Sequence, residues 1–390
     1  MATFAVTILP IKIEDHPNAD AIECAVIGDY RSIIKKGQYN DGDLVAYIPE
    51  AAIVPDWILK KLGLWDNSKD KGILAGNAGN RVKSVRLRGI LSEGLIYPVE
   101  LTNVPQNEHL KHTLEQNTIS IHCITLEDGS KIPVKEGDNI SELLGITKWE
   151  PPIPIHMSGE VQTLHGHTMS YDIENYKRHP DILVSGEEVV MTEKLHGSWV
   201  CWGFHPHYGH IVSSKGLSSQ GLCFKLNEAN KDNLYLKTLM ATTDFYTECT
   251  VAETAHRLYG RYDVPVYLLG EIIGKGIQDL HYGMTEPTFR LFDVYVGEPR
   301  QGQYLNVDEL QEAADKLGLD MVPILYRGPF SEAVLKEHTN GKETISGGVN
   351  VREGIVVRAA SERHDPVIGR VQLKSISDDY LLRKNATEYN

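Results

Sequence analysis

The segment MTEKLHGSWV, residues 191–200, places Lys194 and His196 two residues apart between two apolar runs. Val189–Met191 before it and Val200–Trp202 after it have the composition of buried strands. A lysine at the end of a buried strand costs free energy unless something uses its charge. The segment therefore predicts two buried strands with a functional lysine between them.

The totals predict a soluble protein of two or three domains. The chain has 390 residues, of which 41% are hydrophobic and 24% charged. It contains no apolar run as long as a membrane span and no signal pattern at its start, so we expect a cytoplasmic protein without membrane contact. The five cysteines are scattered without a C-x-x-C pair, which argues against a disulfide framework and a cysteine zinc site.

The charge argues against a protein that coats nucleic acid by bulk attraction, since the net charge is −14. One local exception is RVKSVRLR, residues 81–88, with Arg81, Lys83, Arg86 and Arg88 and no acid among them. From residue 85 to 88 apolar and basic residues alternate, as on a strand with one cationic face. A merely solvated strand face is the alternative interpretation.

The prolines in KWEPPIPIH divide the chain into two halves. Before them, strand-like runs with Gly, Asp and Asn turns predict a small all-β barrel of OB type, with DWILKKLGLW as a helical insert. The run HPNADAIECAVIG resembles the opening of the tRNA-binding OB domains attached to some synthetases. We therefore predict an OB-like nucleic-acid-binding domain with its linker over residues 1–148.

The second half, residues 149–390, predicts a mixed domain, which makes the whole chain α+β. TVAETAHRLYG and NVDELQEAADKLGLD have helical apolar spacing and are predicted to stop at Gly260 and Gly318. VPVYLLGEIIG and FRLFDVYVG between them are predicted to be buried strands.

Charged residues recur on or beside these apolar strands. Lys194, Glu271 and Lys374 lie in TEKLHGS, LLGEIIGKGIQ and VQLKSIS, and Glu353 begins the run EGIVVR. Each alone has a structural explanation, such as a lysine whose amine reaches solvent or an acid at a strand edge or turn. Ionisable groups placed together in this order more often converge on one site.

The ordered motifs resemble the covalent nucleotidyltransferase superfamily, and most closely its ATP-dependent RNA ligases, whose lysine motif often reads Lys-x-His-Gly. TEKLHG with GEIIGKGIQ is similar to the second phage-type RNA ligase family. The β-rich first half adds the arrangement of the Deinococcus-type RNA ligases, with an OB domain ahead of a nucleotidyltransferase domain of antiparallel sheets. The resemblance of the catalytic part covers roughly residues 150 to 385.

This resemblance implies an ATP-dependent ligase that seals RNA nicks in repair. Lys194 would take AMP from ATP, pass it to a 5′-phosphate, and a 3′-OH would then displace it. A free lysine with a pKa of ~10.4 cannot attack, so the mechanism needs Lys374, burial and Mg²⁺ or Mn²⁺ to lower that pKa. The expected partner is RNA or a nicked RNA-containing duplex, and we expect a monomer without a protein partner.

The resemblance also implies a nucleotide site. Glu193 would recognise the adenine, Glu271 would hold the ribose, and Phe292 would stack on the purine. Lys215 would take the place of a basic residue that follows the lysine motif, although lysine lacks the fork of arginine. Lys374 would stabilise charge on the α-phosphate.

Further implied roles concern the metal. Glu353, with Glu271, would bind it through carboxylate oxygen, and His196 would lie near the phosphate or the metal as a catalytic residue. The chain departs from the family pattern at Gln372, where a lysine is usual, and at Trp199, where a polar residue is usual.

Two alternatives remain at this point. A DNA ligase or a capping guanylyltransferase shares the lysyl-nucleotide step, but those enzymes usually carry the OB domain after the catalytic domain. An RNA- or tRNA-binding protein with a decayed catalytic domain is the other alternative, against which the joint presence of Lys194, Glu271, Glu353 and Lys374 argues.

Overall fold

The computed structural model describes residues 4–105, 118–150, 157–164, 166–240 and 251–383. The chain forms two compact units, Thr3–Glu150 and Pro151–Asn390, the latter with Met1–Ala2. In these described stretches no helix has the length and apolar character that crossing a bilayer requires.

The first unit consists of short antiparallel strands around an apolar core. Its strands are β1 (Thr7–Pro10), β2 (Lys12–Asp15), β3 (Ile22–Ile27), β4 (Tyr30–Lys35), β5 (Leu44–Ile48), β6 (Ala52–Ile53), β7 (Trp65–Asp66), β8 (Lys71–Gly72), β9 (Val85–Leu87), β10 (Ile90–Ser92), β11 (Leu95–Pro98), β12 (Glu100–Pro105), β13 (Thr118–Thr125), β14 (Lys131–Pro133) and β15 (Thr147–Lys148). Its helices are α1 (Asp56–Lys61) and α2 (Ser141–Leu144). Three-stranded sheets have the orders β1–β5–β11, β2–β3–β4 and β12–β13–β14. The predicted β-rich domain with a helical insert is confirmed.

In the basic segment 81–88 the strand predicted over residues 85 to 88 forms, but it is one residue shorter. Strand β9 ends at Leu87, and Arg88 has a φ of 47° in the turn that leads into β10. The guanidinium of Arg81 lies 3.9 Å from the centre of the Trp149 ring, and Lys83 is half-buried. Of the four basic residues only Arg86 lies on the strand, because the chain reverses direction at Arg88.

The second unit contains two larger sheets and several helices. Its strands are β16 (Val161–Thr163), β17 (Glu174–Asn175), β18 (Glu188–Lys194), β19 (Ser198–His205), β20 (Gly209–Ser214), β21 (Leu222–Phe224), β22 (Val266–Ile273), β23 (Thr288–Val296), β24 (Gln303–Tyr304), β25 (Ile324–Pro329), β26 (Gly354–Ala359), β27 (His364–Asp365), β28 (Gly369–Arg370) and β29 (Gln372–Ile376). Its helices are α3 (Lys215–Ser219), α4 (Leu234–Met240), α5 (Val251–Tyr262), α6 (Val307–Leu317), α7 (Glu332–Thr339) and α8 (Asp378–Leu381). The first sheet has the order β17–β29–β26–β18–β25 and the second β20–β19–β22–β23–β24.

The opening segment connects these two sheets. Lys194 is the last residue of β18 in the first sheet, and Ser198 is the first residue of β19 in the second. Of the three residues between them, Gly197 allows no side chain, because a Cβ there would lie 2.2 Å from the carbonyl oxygen of Ile272. The turn can therefore cross between the sheets only with glycine at this position, and it leaves the lysine at the crossing.

The predicted helices form, with one correction. Helix α6 begins with a capping box between Asn306 and Glu309 and ends at Gly318, whose φ is 63°. Helix α5 does not stop at Gly260 but continues to Tyr262. The left-handed residue that ends it is Asp263, with a φ of 54°, and its N–H donates to the carbonyl of Tyr259. Gly260 thus stays inside the helix, at a modest cost in backbone entropy.

Candidate active site

A cavity of about 250 Å³ opens among residues from both sheets of the second unit. Six of the predicted site residues line it, namely Glu193, Lys194, Lys215, Glu271, Phe292 and Lys374. The two positions that depart from the family pattern, Trp199 and Gln372, line it as well. Residues from five strands, distant in sequence, therefore meet at one site as predicted.

Lys194 is held by a carboxylate. Its Nζ donates to Oε1 of Glu353 at 2.5 Å, and 28% of its side chain is exposed. Burial alone would lower the pKa of the amine, but the negative charges of Glu353 and Glu271 outweigh it and hold the pKa above its ordinary value. The amine is therefore protonated here, and it becomes a nucleophile only when the charge of these acids is offset.

Two carboxyl groups beside Lys194 are suited to a divalent cation. Burial raises the pKa of Glu271 to about 8 although the Lys194 amine opposes the shift. Oε2 of Glu353 is buried without a hydrogen-bond partner among the described residues, which is costly for a carboxylate oxygen. Hard divalent cations prefer carboxylate oxygens, so this pair fits such an ion. Gly354 is required next to them, because a Cβ would lie 2.1 Å from the carbonyl oxygen of Ser375.

Glu193 lines the cavity, and its role in recognising the adenine stays a prediction. Neighbouring side chains on a strand point to opposite faces, so the Glu193 carboxylate and the Lys194 amine lie on different sides of β18. Its Oε2 accepts from the backbone N–H of Thr344 at 3.0 Å and from the Thr344 hydroxyl at 2.6 Å. Glu193 is 2% exposed, and its carboxylate is engaged by these hydrogen bonds to Thr344.

His196 lies outside the set of described residues that line the cavity, although its neighbours Leu195 and Gly197 line it. The residue is 5% exposed, and both ring nitrogens have partners. Its Nε2 lies 2.8 Å from Oδ1 of Asp279, and its Nδ1 lies 2.7 Å from the hydroxyl of Tyr380. Both ring nitrogens are thus engaged by side chains, and the role of His196 near the phosphate or the metal stays a prediction.

Aromatic side chains form one wall of the cavity and account for Gln372. The ring of Phe292 lies 5.1 Å from that of Tyr171, which in turn stacks near Trp199 at 6.5 Å. The amide of Gln372 donates to the Tyr171 hydroxyl at 2.8 Å, and this hydroxyl donates to Asp293 at 2.7 Å. The amide therefore helps to fix the wall.

Three lining residues of the cavity with side chains suited to a binding site were not predicted, namely Tyr171, Asp172 and Arg358. Tyr171 and Asp172 line it, and Asp172 accepts from Lys215 at 3.3 Å. Arg358 also lines it and pairs with the buried Asp293 at 3.0 Å. Arg358 is a charged residue inside the apolar run GIVVRAA, the same pattern that marked Lys194, so the sequence could have predicted it. No such pattern marks residues 171 and 172.

The four basic residues at 81–88 belong to the first unit and take no part in this cavity. Arg86 and Arg88 lie in the exposed hairpin β9–β10, and Arg81 and Lys83 lie in the segment just before it. Whether they bind nucleic acid remains a prediction.

Comparison with known proteins agrees with both halves of the chain. A family model described as RNA ligase matches residues 187–376, and an OB-fold domain model matches residues 6–99. A comparison with curated proteins found no match.

Solved structures of an RNA ligase from Naegleria gruberi match along almost the whole chain. The structure with PPi has 26% identity and a TM-score of 0.71, with 97% of this chain and 98% of that chain covered. A mutant with AMP and Mn has 25% identity and a TM-score of 0.70 over 96% and 97% of the two chains. A mutant with ATP and Mn has 25% identity and a TM-score of 0.70 over 97% and 98%. Residues 187–376 match the RNA ligase family, and the chain resembles the Naegleria RNA ligase structures in having an OB-fold domain ahead of a nucleotidyltransferase domain.

Proposed function

We propose that this RNA ligase uses ATP and joins 3′-OH and 5′-phosphate RNA ends through lysyl-AMP and RNA-adenylate intermediates, sealing nicks in RNA repair. The observation that carries the proposal is the position of Lys194. Its amine lies where two sheets meet, in a cavity lined by two further lysines, three acids and an aromatic wall. A structural lysine needs no such surroundings. The solved structures of the Naegleria ligase with ATP, AMP and PPi support the choice of nucleotide.

In the first step the neutral amine of Lys194 forms a bond to the α-phosphorus, and the bond from that phosphorus to pyrophosphate breaks. The proton must leave before the attack, since the carboxylates of Glu353 and Glu271 favour the ammonium form. Charge that builds on the phosphate oxygens would meet Lys374, Lys215 and Arg358, which line the same cavity.

Glu353 and Glu271 would hold a divalent cation, Mg²⁺ or Mn²⁺, for the reasons of charge and unpaired oxygen given above. When bound, this ion offsets the negative charge that keeps Lys194 protonated and so favours the neutral amine. The Naegleria structures with Mn support manganese as one candidate.

The nucleoside would lie against the aromatic wall. Phe292 offers the ring on which a purine stacks, and Glu271 lies on the neighbouring strand, where it can also reach ribose hydroxyls. Base recognition by Glu193 would have to use its backbone, because its carboxylate is engaged by Thr344.

The RNA ends require a surface that follows the phosphate backbone. We assign nucleic-acid holding to the first unit, with Arg86 and Arg88 on the exposed hairpin as the phosphate contacts. Lys83 and Arg81 are less suited, because they are half-buried and Arg81 stacks on Trp149. We further infer that the protein works as a monomer in the cytoplasm.

Adenylylation tests the proposal directly. The protein is incubated with α-labelled ATP and Mg²⁺ or Mn²⁺ and then denatured and separated on a gel. We expect label on the wild type with ATP, little with GTP, and none on Lys194→Ala, while Lys336→Ala on the exposed face of α7 serves as a matched control that keeps the label. A label with GTP alone would indicate a capping enzyme, and no label under either metal would indicate an RNA-binding protein with a decayed site.

A further inference from the structure

The segment that follows β29 forms hydrogen bonds with the turn after Lys194 and with a residue that holds this turn. His196, in that turn, contacts Tyr380 through Nδ1 at 2.7 Å. Arg383, three residues further on, donates to Asp279 at 3.2 Å, and Asp279 is the other partner of His196. The guanidinium of Arg383 lies 3.8 Å from the centre of the Tyr380 ring, so the two residues are held together.

The direction of these hydrogen bonds is fixed by their chemistry. A carboxylate only accepts, so Nε2 of His196 carries a proton and donates it to Asp279. In the neutral ring Nδ1 is then the acceptor, and the Tyr380 hydroxyl donates to it. The backbone N–H of His196 donates to the hydroxyl of Tyr282 at 2.6 Å. Ring and backbone of this one residue are therefore held by two segments, residues 279–282 and the segment that contains Tyr380.

The same C-terminal segment also contacts the acid that holds the lysine. The backbone N–H of Ser377 donates to the carbonyl of Glu353 at 2.9 Å, and helix α8 begins directly afterwards. Residues 377–383 thus touch both the turn behind Lys194 and the residue paired with its amine. They lie beyond residue 376, where the match to the RNA ligase family model ends.

We propose that Tyr380 and Arg383 are positioning residues that act through His196, and that they set the placement of the Lys194 amine for its attack on the nucleotide. The attack on the nucleotide rests on the proposed function, but the placement of the Lys194 amine is a property of the protein alone. His196 accordingly is a positioning residue, and its value to the reaction lies in the two contacts of its ring.

Tyr380→Phe is the test variant, because it removes one hydroxyl and keeps the ring under Arg383. The control is Tyr326→Phe, which removes a hydroxyl that bonds only a backbone carbonyl, that of Pro329, at 2.9 Å. In single-turnover labelling with ATP we expect Tyr380→Phe to lower the rate at saturation about tenfold, the effect of one oriented hydrogen bond, with the KM for ATP changed less than about twofold. Thermal denaturation should show both variants close to the wild type.

A double-mutant cycle shows whether the residue acts through His196. In a His196→Ala background, Tyr380→Phe should cause no further loss, since the acceptor is already gone. An equal loss in both backgrounds, or wild-type labelling by Tyr380→Phe, would overturn the proposal. If Tyr380→Phe lowered the denaturation midpoint and left the labelling rate of the folded protein unchanged, the proposal would be overturned too.

A second readout needs no nucleotide. An amine-reactive ester is added to wild type, Tyr380→Phe and Tyr326→Phe, and the acylation rate of Lys194 is followed by peptide mass spectrometry. We expect a changed rate at Lys194 in Tyr380→Phe alone, with Lys336 as the internal reference. If the wild type took no label from ATP but this rate changed, the ligase proposal would fail and the positioning inference would stand. An unchanged rate would defeat the positioning inference by itself.

Discussion

Glu271 gives a stability prediction that does not depend on any ligand. Burial raises the pKa of its carboxyl to about 8 in the folded protein, from an ordinary value of 4.5. Between these two values the folded state binds a proton that the unfolded chain does not. The free energy of unfolding therefore falls as the pH rises through this window, by up to about 1.4 kcal/mol per pH unit for a single proton.

Glu271→Gln removes this titration while keeping the shape of the side chain. From pH 6 to pH 8 we expect the wild type to lose about 2 kcal/mol relative to the variant, since the native carboxyl is only partly ionised near the upper end. The measurement is urea denaturation of both proteins at several pH values, which cancels the titration of all shared groups. Glu332→Gln, on the exposed first turn of α7, is the matched control and should show no pH-dependent difference.

Parallel curves for the wild type and Glu271→Gln would refute the reasoning. They would mean that Lys194 keeps the Glu271 carboxylate ionised in the folded state, so that ion pairing outweighs burial in setting its pKa. A wild type that lost stability relative to Glu271→Gln as the pH fell would have the same meaning, because a lowered pKa reverses the sign of the dependence.

Two further predictions concern other parts of the chain. Gly197→Ala should destabilise the protein by at least about 2 kcal/mol in denaturant titrations, because its Cβ would meet a backbone oxygen at 2.2 Å, whereas Gly216→Ala, with open space around it, should be neutral or slightly stabilising. Charge reversal at both Arg86 and Arg88 should weaken binding of a nicked RNA duplex and flatten its dependence on salt by about two phosphate contacts; an unchanged salt slope would show that the hairpin is merely solvated.

The sequence was sufficient for the elements and for the convergence of the site. Apolar runs gave the central strands, and apolar spacing with an N-cap and a glycine gave α6. The cavity followed from charged groups on separate buried strands, since several such groups are tolerated only where they meet a ligand or one another. Helix ends were harder, because Asp263 and not Gly260 supplied the left-handed residue.

Two features of the site differ in whether the sequence could have supplied them. The opposite orientations of Glu193 and Lys194 follow from strand alternation, so they were available from the sequence. The partners of His196 were not, because Asp279 is 83 residues away and Tyr380 is 184 residues away in the chain. Motif resemblance assigns a position to a role but contains no information on which distant side chains fill the space behind it.

The electrostatics of Lys194 show why placement and activation are separate problems in this protein. Glu353 draws the amine to within 2.5 Å and so fixes where it stands, yet the same charge keeps it protonated. Placement is thus provided by the folded chain, through the ion pair and through the fastened turn at His196. Activation requires that negative charge be offset at Glu353 and Glu271, which the protein's own cations do not achieve. In the proposed reaction the amine would therefore lose its proton only once a cation held by Glu353 and Glu271 offset their charge, and the lysine would not react before its substrate is present.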